Sequence, residues 1–442
     1  MAKDYFKIQG LGGKKILRGE VQINGAKNAV LKAMAAAILF KDEVKILNAP
    51  YTEDVKKTVT LLETAGAKVE VSEDAVNHSH VLKINTATLH NTDIDPEIAK
   101  SMRASVVMTG PMLSRYGKVS LVQPGGCVIG ARPIDQFIEG YKKMGATVEF
   151  KDDVSIITAP EGGLRGAEII FHLQTVGGTE TLMMAAVLAK GVTVLKNCAM
   201  EPEITSLAEY LTSCGAKIEG IGTTTLTITG VEPLVSAGKP YVTIPDRIEA
   251  GSFLLLAALC GDDVKITTCE PKHLEVLISM LMDSGVPLQI GTDFIHVKNN
   301  GAVKNSELKT FNVRTHEYPG FATDLQPQVS VFLTQASGES IIFETIFEGR
   351  FKYTEDLIKM GANITIMNPR EIMVKGGAEL KAPEAEELRA HDIRAGFAVV
   401  MAALVASGES VINNIYYIDR GYERLEERLC ALGAKVERVK GE

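Results

Sequence analysis

A cysteine placed between glycines is the residue of this sequence with the clearest capacity for chemistry. Cys127 lies in the segment Pro124–Asp135, which follows an apolar β pattern and leads into an amphipathic helical pattern. Glycines at 125, 126 and 130 allow positive φ angles and a close approach of the backbone to a ligand. A free thiol has a pKa of about 8.5, and a nearby cation or helix N-terminus lowers it. Cys127 could therefore serve as a poised acid or as a nucleophile.

The acid–base partner that the sequence offers to this thiol is a carboxylate. A thiol-dependent hydrolase would need a histidine base, but of the eight histidines only His316 and His391 flank the charged positions described below. Neither makes a convincing base. Asp324 opens a helical pattern in the other half of the chain. If the two halves face each other, thiol and carboxylate would flank a substrate between them.

Cationic side chains recur at equivalent positions along the chain. They occur where a first helix of a repeat begins, at Lys27, Arg103, Arg247 and Arg394, and in the loop before a second helix, at Arg132, Arg350 and Arg420. A cation at a helix N-terminus opposes the helix dipole unless an anion joins it. A single arginine could equally pair with a neighbouring carboxylate, as Arg394 could with Asp392. Several cations at shared positions favour an anionic ligand.

The elements that must position these residues form a repeat. An amphipathic helical pattern runs into a glycine and then a short β pattern six times, at Gly66, Gly145, Gly215, Gly285, Gly361 and Gly433. The nearly constant spacing predicts one unit copied six times. A chain of 442 residues is too long for one ordinary core. Six units therefore divide naturally into two domains of three.

Composition excludes several classes of protein. The net charge of −8 disfavours a nucleic-acid partner and gives no general attraction for anions, so any anion site must be local. No apolar run approaches the roughly 18 residues of a membrane span, and the N-terminus has no secretory signal, so a cytoplasmic protein without membrane insertion is expected. The cysteines have no metal-ligand spacing, so neither a metal site nor a disulfide is expected. The five other than Cys127 are expected to be small buried thiols.

Eight motifs, in order along essentially the whole chain, resemble those of one enzyme family. They are Gly25–Ala29, Met102–Ser105, Pro124–Asp135, Thr175–Gly177, Pro245–Glu249, Pro319–Asp324, Arg350–Phe351 and Asp419–Tyr422. The sequence resembles the UDP-N-acetylglucosamine enolpyruvyl transferases, and the cysteine loop and the Lys27-Asn28 pair are the most specific parts of the match.

This resemblance implies a fold and an activity. The fold would be of the α/β (α+β) class, a two-domain inside-out α/β barrel with six copies of a βαβαββ unit, three in each domain. One domain would comprise residues 1–25 and 243–442, with Asp324, Arg394 and Arg420, and the other residues 26–242, with Lys27 and the Cys127 loop. The enzyme would transfer the enolpyruvyl group of phosphoenolpyruvate to the 3′-hydroxyl of UDP-N-acetylglucosamine through a tetrahedral intermediate, without a cofactor. Phosphate is released in this first committed step of peptidoglycan synthesis.

The same resemblance assigns roles to residues. The catalytic residues would be Cys127 as general acid, Asp324 as the base that also orients the hydroxyl, Lys27 and Arg420. Phosphoenolpyruvate would be held by Lys27, Arg132, Arg394 and Arg420, with Arg103 a further member. The nucleotide sugar would lie along Asn28, Arg132, Pro133, Ile134, Asp135, Gln136, Thr175, Val176, Gly177, Asp324 and Ile346. Cys127 would also be the residue that reacts with the epoxide fosfomycin.

Three positions depart from the family's usual residues. Phe137 stands where histidine is frequent and Leu173 where some members have lysine, and both changes would weaken contacts to the diphosphate. Lys32 replaces a frequent proline in the first helix and is expected only to straighten it. Two alternative functions stay open: the sister transferase acting on shikimate 3-phosphate, which lacks this cysteine loop, and a non-catalytic nucleotide-sugar-binding regulatory paralogue.

Overall fold

The computed structural model of the chain describes residues 4–75, 79–122, 134–384 and 386–441. Cys127, Arg132 and Pro133 lie outside the described residues. The chain divides into two compact units. Of the described residues, those up to Asn24 and from Pro245 onward form the first unit, unit 1, and those between Gly25 and Ile244 form the second, unit 2.

The helices are α1 (Lys27–Ala36), α2 (Glu53–Thr64), α3 (Pro96–Ser101), α4 (Thr109–Tyr116), α5 (Asp135–Lys143), α6 (Val176–Val187), α7 (Pro202–Ser213), α8 (Arg247–Cys260), α9 (Glu275–Ser284), α10 (Gln326–Gln335), α11 (Tyr353–Lys359), α12 (Ile393–Val405), α13 (Tyr416–Asp419) and α14 (Leu425–Ala431). Short 3-10 helices at Arg103–Met108, Thr323–Leu325 and Arg350–Lys352 also carry residues of interest.

The strands are β1 (Tyr5–Gln9), β2 (Leu17–Gln22), β3 (Val44–Ala49), β4 (Lys68–Asp74), β5 (Ser79–Asn85), β6 (Lys118–Val122), β7 (Thr147–Lys151), β8 (Val154–Thr158), β9 (Glu168–Ile170), β10 (Val192–Lys196), β11 (Lys217–Glu219), β12 (Thr225–Thr229), β13 (Tyr241–Val242), β14 (Gly261–Thr267), β15 (Leu288–Ile290), β16 (Phe294–Lys298), β17 (Val313–Arg314), β18 (Glu339–Phe343), β19 (Asn363–Asn368), β20 (Glu371–Lys375), β21 (Leu388–Arg389), β22 (Glu409–Asn413) and β23 (Lys435–Val439).

Small sheets of three or four strands repeat through both units. Unit 2 contains the sheets β13-β3-β5-β4, β6-β8-β7 and β11-β12-β10-β9, and unit 1 contains β15-β16-β14-β2, β17-β18-β20-β19 and β21-β22-β1-β23. In β13-β3-β5-β4, for example, β13 is parallel to β3 and the other two pairings are antiparallel. Among the described residues, three sheets in each unit agree with the predicted sixfold repeat, and the expected α/β class is confirmed.

The core of each unit lies among its helices. In unit 1 every residue of α12 is buried, and α8 is buried from Ile248 to Cys260. The strands instead alternate buried and exposed residues, as in β18 and β22, so their outer faces meet solvent. Helices at the centre and sheets outside are the arrangement called inside-out. Across the described ranges, none of the helices has both the length and the apolarity needed to cross a bilayer.

Candidate active site

Asp324 lies at the centre of a charge cluster in unit 1. The short 3-10 helix that contains it leads directly into α10. Its Oδ1 accepts a hydrogen bond from Arg350 Nη2 at 2.8 Å, and its Oδ2 accepts one from Arg394 Nε at 3.2 Å. The Asp324 side chain is 28% exposed, whereas those of Arg350 and Arg394 are 1% and 4% exposed. The carboxylate is therefore reachable by a ligand while both of its cations are held in the core.

The charges in this cluster keep its guanidinium and carboxylate groups ionised. Burial alone would lower the pKa of the Arg350 guanidinium, but Asp324, Asp392 and Glu344 together raise it above its ordinary value. Two guanidinium groups beside one carboxylate likewise favour the ionised form of Asp324. An ionised carboxylate accepts hydrogen bonds and protons and cannot donate them. The geometry thus suits a base or an orienting acceptor for a hydroxyl.

Asp392 settles which partner Arg394 takes. The Asp392 side chain caps α12, its Oδ1 accepting from the backbone N–H of Arg394 at 2.8 Å and of Ala395 at 3.0 Å. The Arg394 side chain instead pairs with Asp324 and lies with its guanidinium 5.4 Å from the centre of the Tyr422 ring. Its Nη1 has no hydrogen-bond partner in the part of the chain that the structure describes. The Arg394 guanidinium is therefore oriented by Asp324 and Tyr422, with Nη1 shielded from solvent.

Glu344 organises the neighbourhood of Asp324 and was missed by the sequence analysis. It is fully buried. Its Oε2 accepts from the Thr323 hydroxyl at 2.9 Å, which in turn accepts from Arg350 Nη1 at 2.9 Å. Its Oε1 accepts from the backbone N–H of Ile346 at 2.8 Å. One carboxylate therefore fixes both Thr323 and Ile346, a predicted substrate-binding residue. A charged residue directly after the apolar strand β18 was the available signal.

Arg420 is held through its neighbour in sequence. It is buried and follows α13. Asp419, the last residue of α13, accepts two hydrogen bonds from Arg438, at 3.0 and 2.6 Å. Arg438 also donates to Glu426 at 2.5 Å. The two hydrogen bonds from Arg438 to Asp419 fix the end of α13. Because Arg420 is the next residue, they also fix the backbone position of Arg420.

Lys27 and Asn28 begin α1 in unit 2. The helix begins without a side-chain cap. The Lys27 ammonium lies 3.1 Å from Asp54 Oδ2, and both residues are buried. The 3-10 helix that begins at Arg103 packs against α1. The predicted cations Lys27 and Arg103 are therefore carried by two adjoining elements of the same unit.

The predicted nucleotide-sugar segments of unit 2 also meet. Thr175 caps α6, its hydroxyl accepting from the backbone N–H of Gly178 at 3.2 Å. At Gly177 a Cβ would meet no described atom within 4 Å, so the first turn of α6 has an open face. Gln136, in the first turn of α5, accepts from the backbone N–H of Leu173 at 3.4 Å. The starts of α5 and α6 are thus neighbours. Of the remaining predicted residues here, Ile134 is buried, Asp135 is exposed and Val176 is half-buried.

The two departures near this segment have different environments. Phe137 is buried, with its ring centre 6.3 Å from that of Tyr141 in an edge-to-face arrangement. Leu173 is 73% exposed. Neither side chain can donate a hydrogen bond or supply a charge to a phosphate.

Four of the five other cysteines agree with the expectation of buried thiols. Cys198, Cys214, Cys260 and Cys269 are buried. Burial raises the pKa of Cys198 to about 11 and that of Cys260 to about 12, so both stay protonated. The expectation was wrong for Cys430, which is exposed because it lies near the end of α14, where its thiol donates to the Val436 carbonyl at 3.3 Å.

Comparisons with known proteins place this chain in a family. A model of the EPSP synthase (3-phosphoshikimate 1-carboxyvinyltransferase) family matches residues 11–429. The UDP-N-acetylglucosamine 1-carboxyvinyltransferase of Koribacter versatilis is 44% identical over 436 residues, 99% of this chain and 96% of the relative. That of Desulforapulum autotrophicum is 42% identical, over 98% of this chain and 100% of the relative.

Solved structures share the fold. The enolpyruvyl transferase NikO from Streptomyces tendae aligns with a TM-score of 0.85 at 22% identity, over 100% of both chains. An EPSP synthase from Acinetobacter baumannii aligns with a TM-score of 0.71 at 17% identity, over 99% of this chain and 100% of the other. Identities this low bear on the fold alone. The full-length matches above 40% identity bear on the family, and the chain belongs to the UDP-N-acetylglucosamine 1-carboxyvinyltransferases of the EPSP synthase family.

Proposed function

We propose that this protein transfers the enolpyruvyl group of phosphoenolpyruvate to the 3′-hydroxyl of UDP-N-acetylglucosamine. Family membership supports the class of reaction and the nucleotide-sugar substrate. The observation in the structure that carries the proposal is the partly exposed Asp324 carboxylate clamped between buried Arg350 and Arg394. Such a group can accept the hydroxyl proton of a sugar while cations beside it face an anionic cosubstrate.

The reaction needs one addition and one elimination. The sugar oxygen bonds to C2 of phosphoenolpyruvate as C3 takes up a proton, which gives a tetrahedral intermediate. The bond between C2 and the phosphate oxygen then breaks, and C3 loses a proton to restore the double bond. Asp324 is assigned the proton of the sugar hydroxyl, and Cys127 the delivery of the proton to C3.

Phosphoenolpyruvate carries a phosphate and a carboxylate, and the proposed clamp supplies cations for both. Arg394 lies beside the partly exposed Asp324 carboxylate, and Arg420 directly follows α13. Lys27 and Arg103 belong to unit 2, and Arg132 is assigned to the same role from the sequence. Cationic donors around the phosphate stabilise the charge that develops as it leaves.

The nucleotide sugar is assigned to both units. In unit 2 the starts of α1, α5 and α6 present Asn28, Gln136 and the open face at Gly177. In unit 1 the Glu344 network sets Ile346 beside the Asp324 segment. Helix N-termini with unpaired N–H groups suit a diphosphate, to which Phe137 and Leu173 add no donor.

Phosphate release is the test of this function. We expect release on mixing the protein with both substrates, none with either alone, and a loss of about 10²-fold or more in Cys127→Ser, because a serine hydroxyl is a far poorer acid than a thiol. Cys430→Ser is the matched control, since Cys430 is an exposed thiol, and it should keep wild-type activity. Nucleotide-sugar binding without phosphate release would overturn the proposal and favour the regulatory paralogue.

Replacing Arg438 tests how Arg420 is held. Arg438→Met removes the two hydrogen bonds to Asp419, and we expect KM for phosphoenolpyruvate to rise about tenfold because a small displacement of a clamping cation is costly. KM for the nucleotide sugar should change less than twofold. Steady-state kinetics with each substrate varied in turn measures both values. Arg389→Met, at an exposed arginine of β21, is the control, and equal KM values in the two variants would contradict the role of Arg438.

A further inference from the structure

Lys32, which was expected only to straighten α1, forms an ion pair with a buried carboxylate of another helix. The Lys32 side chain extends from α1 to α6, where its ammonium lies 3.1 Å from Glu180 Oε2. Its role is therefore not limited to the absence of a proline in α1. The same ammonium donates to the Asn28 carbonyl at 3.0 Å. Lys32 is 8% exposed and Glu180 is fully buried. The pair is therefore an ion pair inside the core of unit 2.

The pair lies one turn inside two helices whose first turns belong to the proposed site. Lys32 follows Asn28 by four residues on α1, and Glu180 follows Gly177 by three on α6. A helix is stiff over one turn, so a contact at this depth transmits to the helix start. The contact between Lys32 and Glu180 therefore links the Lys27–Asn28 turn to the Val176–Gly177 turn, beside the packing of both helices against Arg103–Met108 and α7.

Glu180 lies in a buried environment with other carboxylates nearby, so its charge depends on Lys32. Glu201 and Glu203, at the start of α7, are buried and act electrostatically on Glu180. Neither carboxylate oxygen of Glu180 has a geometrically aligned hydrogen bond among the described residues, and its contact with Lys32 is an ion pair. Removing Lys32 would take away the cation that favours the ionised form of Glu180, so the buried carboxyl would be held neutral and the ionic link between α1 and α6 would be lost.

We propose that the Lys32–Glu180 pair is a positioning device that sets the separation of the starts of α1 and α6 and so the affinity for the nucleotide sugar. This inference rests on the proposed function for the identity of the ligand. Neither residue is assigned contact with a substrate, so the pair acts through Asn28 and through Val176 and Gly177. The affinity, and not the chemical step, should respond to its removal.

The pair also carries a pH dependence. Burial raises the pKa of Glu180 to about 7, although Lys32 opposes the rise. The groups that act on Glu180 are Lys32 of α1, Glu201 and Glu203 near α7, and Tyr241 of β13. As the pH falls through 7, Glu180 becomes neutral and Lys32 loses its counter-charge, so binding of the nucleotide sugar should weaken.

The free energy of unfolding should change with pH in the opposite direction from the affinity for the nucleotide sugar: it should rise as the pH falls. The folded-state pKa lies above the ordinary value of 4.5, so the neutral acid is the preferred buried form. The cost of holding Glu180 ionised in the core is absent below pH 4.5 and is fully present above pH 7. Glu180→Gln, which is neutral at every pH, should remove both pH dependences.

Three measurements on the full chain test the proposal. They are the Kd of UDP-N-acetylglucosamine by calorimetry at pH 6 and pH 8, kcat at saturating substrates, and hydrogen exchange of the backbone amides at 27–31 and 176–180 without ligand. In Lys32→Met we expect Kd at pH 8 to rise about tenfold, kcat to change less than twofold, and exchange to accelerate at both helix starts. Lys32→Arg should restore most of the affinity.

The control is Lys196→Met, which breaks the exposed pair of Lys196 with Glu168 at 2.9 Å on the same unit, and it should match wild type in all three measurements. If Lys32→Met does not fold, the double variant Lys32→Met with Glu180→Met carries no charge at either position of the pair, and because the ion pair is equally absent it should show the same rise in Kd and the same faster exchange. Failure of the wild type to bind the nucleotide sugar would refute the proposed function, whereas the exchange data would still decide the positioning role. Wild-type Kd and wild-type exchange in Lys32→Met would overturn the inference.

Discussion

Asp324→Asn is expected to lower kcat about 10³-fold, within the range that positioned acid–base groups contribute. Asparagine has nearly the same shape, so it fills the space between Arg350 and Arg394. It carries no charge and accepts a proton poorly, and its amide N–H₂ would face a guanidinium that donated to a carboxylate oxygen in the wild type. Initial rates of phosphate release at saturating concentrations of both substrates measure the effect.

The control for this variant is Glu348→Gln, which neutralises an exposed carboxylate 3.6 Å from Arg370 in the same unit. It should keep kcat within twofold of the wild type. Binding of UDP-N-acetylglucosamine to Asp324→Asn should weaken by less than tenfold, so that the main loss lies in the chemical step. A kcat within fivefold of the wild type would rule out Asp324 as the base.

Arg350→Met is expected to lower the stability of unit 1 by about 3 kcal/mol, the order found when one partner of a buried ion pair is removed. Arg350 donates to both Thr323 and Asp324 and is 1% exposed. Its removal leaves the Glu344 carboxylate in the core without this nearby cation. Urea unfolding followed by circular dichroism measures the loss, and phosphate release should fall with it because Asp324 loses one of its two clamps.

Arg18→Met is the control for Arg350→Met, because it removes an arginine that pairs with an aspartate but is itself exposed. Arg18 also pairs with an aspartate of unit 1, Asp262, at 2.5 Å, but its side chain is 71% exposed. Although Asp262 is buried, its carboxylate keeps a hydrogen bond from the backbone N–H of Gly301 at 2.9 Å, and loss of a solvated cation costs about 0 to 1 kcal/mol, so this variant should unfold at nearly the wild-type urea concentration and keep its activity. Equal stability losses in Arg18→Met and Arg350→Met would mean that burial of the Asp324 cluster is not what stabilises it.

The repeat was readable from the sequence because it is local. Each copy places apolar residues at helical spacing before a glycine that must adopt positive φ, as Gly66, Gly215 and Gly433 do. These signals occupy about a dozen consecutive residues. They therefore predicted the number of copies without any knowledge of which strands pair, whereas the α/β class was implied by the family resemblance.

The partners of charged residues were less accessible. Arg394 has Asp392 two positions away, yet its side chain pairs with Asp324, 70 residues distant. Lys32 pairs with Glu180, and Glu344 serves Thr323. Periodicity indicates which face of an element is buried but not which distant residues meet there. The substrate-binding assignments came from the family resemblance. The supporting contacts of Glu344, Arg438 and Lys32 could be identified only in the structure, because they join residues far apart in sequence.

The pairing of β1 has a consequence for how the chain folds as it is synthesised. This strand, near the N-terminus, lies between β22 and β23, and Gln9 stands opposite Lys435. At 5 to 20 residues per second, roughly 20 to 90 s separate the emergence of β1 from that of β23. Unit 2 is complete on the ribosome well before then, whereas β1 must wait with both edges unpaired. Nascent unit 1 therefore exposes the unpaired edges of β1 for most of its synthesis, and such edges are where a nascent chain aggregates.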